Sequence, residues 1–267
     1  MYHLLSPSLP WPDPFPKGAL LLVDKPVGWT SFDVVNKLRY MISRRLGVKK
    51  VKIGHAGTLD PLATGLLLIC VGDHTKRIES LQGMEKIYTG TFTFGATTPS
   101  FDLEKPVNAT YPAAHLTDLL LQNLVQEHFT GEIEQLPPMF SAVKVEGRRL
   151  YKNARTGAEV ELPLRRVQIT SFHVGPLRPV VSKHTEPLLV SAKGAPIYLH
   201  PDYTEGRQCD FRVVCSKGTY IRSLAHDLGV LAQTGAYLSS LRRTAIGDFT
   251  VENTWQIEAL QQAITAC

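Results

Sequence analysis

Twelve consecutive residues, Gly54-His55-Ala56-Gly57-Thr58-Leu59-Asp60-Pro61-Leu62-Ala63-Thr64-Gly65, concentrate the groups that could do chemistry. Gly54, Gly57 and Gly65 imply tight backbone approach, and Pro61 biases Asp60 away from helical torsions. An aspartate on so rigid a turn, just ahead of an apolar run, is held in position rather than freely solvated. Such a carboxylate can attack a carbon electrophile or stabilise positive charge developing on one. By itself, however, an Asp-Pro pair is an ordinary turn. The glycines match neither G-x-G-x-x-G nor a P-loop, so nucleotide cradling is not supported. Cys70, Cys209, Cys215 and Cys267 have no C-x-x-C spacing and no nearby paired histidine. Neither a zinc site nor a disulfide framework is expected, and a reducing compartment fits better.

The elements around this stretch must fix it. Gly18–Val23 (GALLLV) and Leu66–Val71 (LLLICV) read as buried strands flanking it in sequence. Thr30-Ser31-Phe32-Asp33 has the form of a capping box, and Val34, Val35, Leu38, Met41, Ile42 and Leu46 then recur at helical spacing until Gly47. On the polar side of that helix and its exit lie Lys37, Arg39, Arg44, Arg45, Lys49, Lys50 and Lys52, with no acid among them. Such a run is either a solvated face or a stripe facing phosphates. Tyr88, Gly90, Phe92 and Phe94 alternate with Ile87, Thr89, Thr91 and Thr93 as a period-2 strand. A helix is predicted over Pro112–Phe129 with Leu116, Leu119, Leu120, Leu124 and Val125 facing the core, a strand over Asp210–Cys215, and a helix over Tyr220–Gln233. Strands and helices mix without a β-α-β rhythm, which predicts an α+β fold rather than a doubly wound sheet.

GHAGTLDPLATGLL resembles the catalytic motif of the TruB group of pseudouridine synthases, whose members isomerise a uridine in the T-loop of tRNA. LLLVDKPVGWTSFDVV is similar to the opening motif of that family, and KIYTGTFTFGATT to its tyrosine-bearing strand. QLPPMFSAVKVEGRRLYKNARTG resembles its RNA-gripping insertion, while CSKGTYIRSLAHDLG and LRRTAIGDF match two later segments in the same order. The agreement runs from about Gly18 to Phe249, broken by an irregular excursion at 175–206. It implies a pseudouridine synthase fold: a central mixed or antiparallel sheet flanked by helices, with an RNA-binding cleft and an insertion over about 135–166.

The resemblance assigns roles residue by residue. Asp60 corresponds to the nucleophile, Arg222 to the arginine that pairs with it, and Tyr88 to the aromatic that stacks on the target base. His55 corresponds to a histidine linked to base flipping, with a purely structural histidine as the alternative. Tyr220 and Leu241 match pocket-wall positions, where their part could be packing alone. Lys25 and Pro26 belong to the opening motif and read as support for the site, and Arg148 and Arg149 belong to the insertion. The chemistry is coherent in its own right. Detaching uracil builds positive charge at the ribose C1′, which one carboxylate can stabilise or bond, as in glycoside chemistry. The base must then rejoin through C5, so water has to be excluded. No cofactor and no metal are implied. Pro99 stands where many bacterial members carry an aspartate, although Asp102 remains.

Domain organisation is expected as a Pro-rich arm over 1–17 and a catalytic domain over 18–267, with no room for the family's C-terminal PUA domain after the last motif. The 267 residues are 43% hydrophobic and 20% charged, ordinary globular values that argue against disorder. A net charge of +5 at pH 7 is compatible with a polyanionic partner without proving one. The longest apolar run is far short of the roughly 20 residues that span a bilayer, and the N-terminus lacks the basic n-region of a signal peptide. A cytoplasmic monomer acting on the T-arm of tRNA at position 55, with no membrane and no protein partner, is the expectation. The rivals are isomerisation of a uridine in another RNA and an RNA chaperone with vestigial catalysis. A glycosidase lacks a recognisable second carboxylate.

Overall fold

A computed structural model describes residues 4–8, 11–12, 14–140, 144–145, 148–149, 163–180, 189–190, 192, 196–197 and 203–265. The chain forms two compact units that interleave in sequence: Met1–Tyr88 with Leu188–Ile197 and Arg242–Cys267, and Thr89–Pro187 with Tyr198–Leu241.

The first unit is built on two apolar strands. Strand β2 (Gly18–Lys25) runs antiparallel to β4 (Thr64–Gly72), in register from Gly18 opposite Gly72 to Lys25 opposite Gly65. Before β2, β1 (Leu4–Leu5) adds a short parallel pair on its far edge, and Trp255 Nε1 donates to the Leu5 carbonyl at 3.0 Å. The other edge of β4 is divided. Its later residues pair antiparallel with β3 (Ile53–Ala56), and Thr64 and Gly65 pair in parallel with Arg242 and Arg243.

Both faces of these strands are covered, which is why their sequences read as unbroken apolar runs. Leu21, Val23, Leu67, Ile69 and Val71 pack under helix α1 (Ser31–Arg45) and the C-terminal helix over Ile257–Thr265. Leu20, Leu22, Leu66, Leu68 and Cys70 form the opposite layer with Leu81 and Ile246. The capping box at the start of α1 is present, with Thr30 and Asp33 bonding reciprocally. Val34, Val35, Leu38, Met41 and Ile42 are buried as their spacing predicts, whereas Leu46 caps the helix and is 37% exposed.

The second unit carries strands in the spatial order β5, β8, β7, β6, with β8–β7 and β7–β6 antiparallel, where β5 is Lys86–Phe94, β6 Gly131–Gln135, β7 Arg165–Val174 and β8 Arg207–Cys215. Phe92 stacks on Phe211 at 4.1 Å between ring centroids, and Phe172 meets both edge-on. Strands β5 and β9 (Ala236–Ile246) each begin in one unit and end in the other.

After the short helix α2 (Ile78–Gly83), helix α3 covers Asp118–His128, later than the predicted start at Pro112, because Thr117 supplies the cap by accepting from the Leu120 N–H. Packing against β7 selects the face: Leu121 and Val125 are buried and Leu119 is 66% exposed, which corrects the predicted core position of Leu119. Helix α4 covers Ile221–Leu231, with Tyr220 as its N-cap residue. In the excursion, Arg178–Pro179 pairs with β8, and Leu189–Val190 pairs antiparallel with Pro196–Ile197. Arg148–Arg149 pairs antiparallel with Lys144–Val145, while most of the expected insertion, residues 141–143, 146–147 and 150–162, lies outside the described residues.

Candidate active site

The loop that carries Asp60 is tied down on both sides of the aspartate. Ahead of it, the buried Arg243 guanidinium donates to the Gly57 carbonyl at 3.0 Å and the Thr58 carbonyl at 3.4 Å. The Leu59 N–H donates to Ser31 Oγ at 2.8 Å, and Ser31 Oγ donates back to the Leu59 carbonyl at 3.2 Å. Behind it, the Pro61 carbonyl accepts from the Gly28 N–H at 2.8 Å and from Lys25 Nζ at 3.3 Å. The Ala63 N–H closes a turn onto the Asp60 carbonyl at 3.1 Å. Asp60 itself is half-buried. Its backbone is thus set by groups from β2, α1 and the sequence-distant strand over Ala236–Ile246.

Arg243 reaches this position because β4 leaves a gap on its divided edge. Its Nε donates to the Leu66 carbonyl at 2.8 Å, and Gly65 beside it has a φ of +99° with the Arg243 carbonyl 2.3 Å from where a β-carbon would sit. No side chain fits there. The guanidinium carbon also lies 6.0 Å from the centroid of the buried Tyr88 ring, within cation–π reach.

Lys25 is fully buried, and its ammonium donates to the carbonyls of Pro26 at 2.8 Å, Trp29 at 2.6 Å and Pro61. Burial lowers its pKa to about 7, although the nearby Asp60 carboxylate opposes the shift. Burial, and next the charge of Arg243, hold His55 below the usual histidine value, so its imidazole is neutral at pH 7. Its buried Nδ1 has no hydrogen-bond partner among the described residues. Beside Lys25, Asp24 is gripped by Arg242 through two bonds of 3.1 and 2.7 Å, and Gln256 donates to the same carboxylate. Lys25, His55, Asp60 and Tyr88 therefore gather in the first unit.

Arg222, Tyr220 and Leu241 belong to the second unit. Arg222 is 3% exposed and donates to the carbonyls of Ser100 and Phe140, each at 3.1 Å. Its Nε lies 3.7 Å from the buried carboxylate of Asp102. Pro99, by contrast, is exposed. Tyr220 is bracketed by Gln135, whose side chain accepts from its N–H at 2.7 Å and donates to its carbonyl at 3.0 Å. Phe101, between Pro99 and Asp102, takes a φ of 60° and stacks on His226 at 4.1 Å. Leu241 is partly buried within β9. For Arg148 and Arg149 only the backbone pairing is described.

The TruB family pseudouridylate synthase N-terminal domain matches residues 44–187, more than half of the chain. The chain belongs to the TruB family of pseudouridylate synthases. A second family domain, the tRNA pseudouridylate synthase B C-terminal domain, matches residues 222–267. A protein of Flavobacterium johnsoniae named tRNA pseudouridine synthase B is 46% identical over 95% of this chain and 99% of its own. One of the same name from Phocaeicola vulgatus is 46% identical over 93% and 94%. Among solved structures, a chain in the Cbf5-Nop10-Gar1 complex aligns with 92% of this TruB-family chain at 27% identity and a TM-score of 0.57. This chain spans 54% of that one's length. The fold is that of the pseudouridine synthases: α+β, with a mixed sheet and flanking helices.

Three participants were not singled out from the sequence. Arg243 stands in the quoted LRRTAIGDF segment, where alternation with Leu241 and Ala245 is the signal that places it on the inward face of its strand. Ser31 was legible only as part of the cap, and Gln135 carried no signal.

Proposed function

We propose that this protein converts a uridine in the T-loop of tRNA, at position 55, to pseudouridine, with Asp60 as the nucleophile. The observation that carries the reading is the anchoring of the Asp60 backbone by Arg243, Ser31 and Lys25 in a chain of this family. A carboxylate fixed in this way does not have to be ordered during the reaction, which lowers the barrier to attack.

The chemistry balances within the substrate. The C1′–N1 bond breaks with its electron pair leaving on N1, and Asp60 stabilises or bonds C1′. The freed uracil turns and C5 attacks C1′, releasing Asp60. C5 then loses its proton and N1 gains one, so no electrons enter or leave the nucleotide. Tyr88 offers an aromatic face for the flipped base, and the neutral His55 offers an imidazole at the same loop. Arg222, which also meets Asp102 in its own unit, is proposed as the residue that supplies positive charge to the Asp60 carboxylate.

The test is tRNA carrying tritium at uridine C5. The wild-type protein should release the label to water in step with pseudouridine formation. Asp60→Asn should abolish release while binding RNA with a Kd within about threefold. A residual rate within tenfold of wild type, or release of free uracil, contradicts the assignment. Parallel assays on tRNA, ribosomal RNA and an isolated T-stem-loop separate the T-loop reading from isomerisation in another RNA.

A further inference from the structure

The basic run noted in the sequence is not consumed by the site, and in the structure it closes into a groove. Between the polar side of α1 and the turn after it lies a cavity of about 550 Å³, whose lining includes Arg39, Tyr40, Ser43, Arg44, Lys49 and Lys50. No acidic residue occurs between Asp33 and Asp60 to neutralise it. Arg44 and Arg45 at the last turn of α1 complement the helix dipole, which explains two of the cations. It does not explain Lys49 and Lys50, which project from the following turn and are exposed, or Arg39, a turn earlier.

Arg39 is held rather than loose. Its Nη1 donates to Asn36 Oδ1 at 2.6 Å and its Nη2 to the Ile53 carbonyl at 3.3 Å, while its Nε has no partner among the described residues. A guanidinium already ordered loses little entropy on meeting an anion. Tyr40, on the same wall, leaves 64% of its surface exposed. Clustered cations beside an open aromatic ring suit a sugar-phosphate backbone, with the charges on the phosphates and the ring against sugar or base. Ile53, bonded by Arg39, opens β3, the strand that carries His55.

We infer that this groove binds the phosphodiester backbone of the substrate RNA outside the reacting loop, as a grip separate from the base pocket. The inference rests on the reading of the protein as an RNA uridine isomerase, and the experiment separates the two. In the full-length protein, Arg44, Lys49 and Lys50 are replaced together by alanine; all three are exposed, so the fold should hold. Fluorescence anisotropy gives the Kd for unmodified tRNA at a series of KCl concentrations, and single-turnover assays at saturating RNA give the rate of isomerisation.

The expected result is a Kd raised about tenfold or more near 100 mM salt, with the log–log salt slope shallower by about two, since each phosphate contact contributes roughly 0.7–0.9 to the slope. The saturating rate should stay within twofold of wild type. Arg44→Lys with Lys49 and Lys50 intact should bind within about threefold of wild type, because a phosphate reads charge more than shape. An unchanged Kd and slope in a wild-type background that makes pseudouridine overturns the groove and leaves the activity standing. Equally, a variant that loses binding to anionic phosphatidylserine vesicles but not to tRNA overturns it in favour of a membrane partner. Salt-dependent RNA binding by a wild-type protein that forms no pseudouridine overturns the functional reading, and the slope of the variant then decides the groove by itself.

Discussion

Arg243 holds a charge at 1% exposure, and its fork of N–H donors is what makes that tolerable, because three carbonyls of the β4 edge and the Asp60 loop accept from it. Lysine keeps the charge but cannot reach all three acceptors from one nitrogen. Arg243→Lys should therefore lower stability by about 2–4 kcal/mol in denaturant unfolding and reduce kcat/KM by tenfold or more. A variant within 0.5 kcal/mol of wild type and equally active would show that the loop is held by something else. Asp102 and Arg222 present the same physics in the second unit. Asp102→Asn preserves shape and the bond from the Glu104 N–H, yet removes a buried negative charge 3.7 Å from the Arg222 guanidinium. A loss of about 3 kcal/mol is expected from the same unfolding measurement.

At the scale of elements, the close pass of β4 against β9 depends on Gly65. A β-carbon there would collide with the Arg243 carbonyl, at a φ that side chains rarely adopt. Backbone on both sides leaves nothing flexible to yield, so Gly65→Ala should cost more than about 3 kcal/mol or prevent soluble expression. Thr30→Ala is the contrasting case. It removes the cap of α1 and no packing, so the expected cost is about 1 kcal/mol, read as a shift in the denaturant midpoint with an unchanged slope. Because Ser31 follows that cap and bonds Leu59, a frayed first turn should also loosen the Asp60 loop.

At the scale of the molecule, Lys25 couples the buried site to the pH dependence of folding. Its pKa is about 7 in the folded protein against 10.5 in the unfolded chain. Between those values the unfolded chain binds more protons, so raising the pH favours the folded state. Below about pH 7 both states hold the proton and the contribution levels off at its least favourable. Measured against Lys25→Met, in which other titrations cancel, wild-type stability should therefore rise from pH 7 to 9 by up to about 1.4 kcal/mol per unit. A gap between the two proteins that stays constant over that range sinks the assignment. The thiols of Cys70 and Cys209, which burial pushes up to about 11 and 12, do not compete as titrating groups at neutral pH.

Periodicity and punctuation were enough to read the elements that touch the site: the two apolar strands, the capped helix between them, and a glycine-bracketed Asp-Pro turn. Those signals are local, since alternation of burial, caps and backbone restriction depend on neighbours within a few residues. Ordered motifs carried the family, and with it the proposed roles of Asp60, Tyr88 and His55. What holds Asp60 was not legible, because Ser31, Lys25 and Arg243 reach the loop from separate strands and helices, and no spacing in the chain encodes a hydrogen bond across 186 residues. The face of α3 went the same way: its leucines fit more than one stripe, and packing against β7 chose among them. Asp102 stood in the sequence as a remaining acid near Pro99, and only packing made it the buried partner of Arg222. A chain pattern specifies which residues want burial or turns; which distant carbonyl a buried cation will satisfy is decided when the strands are laid side by side.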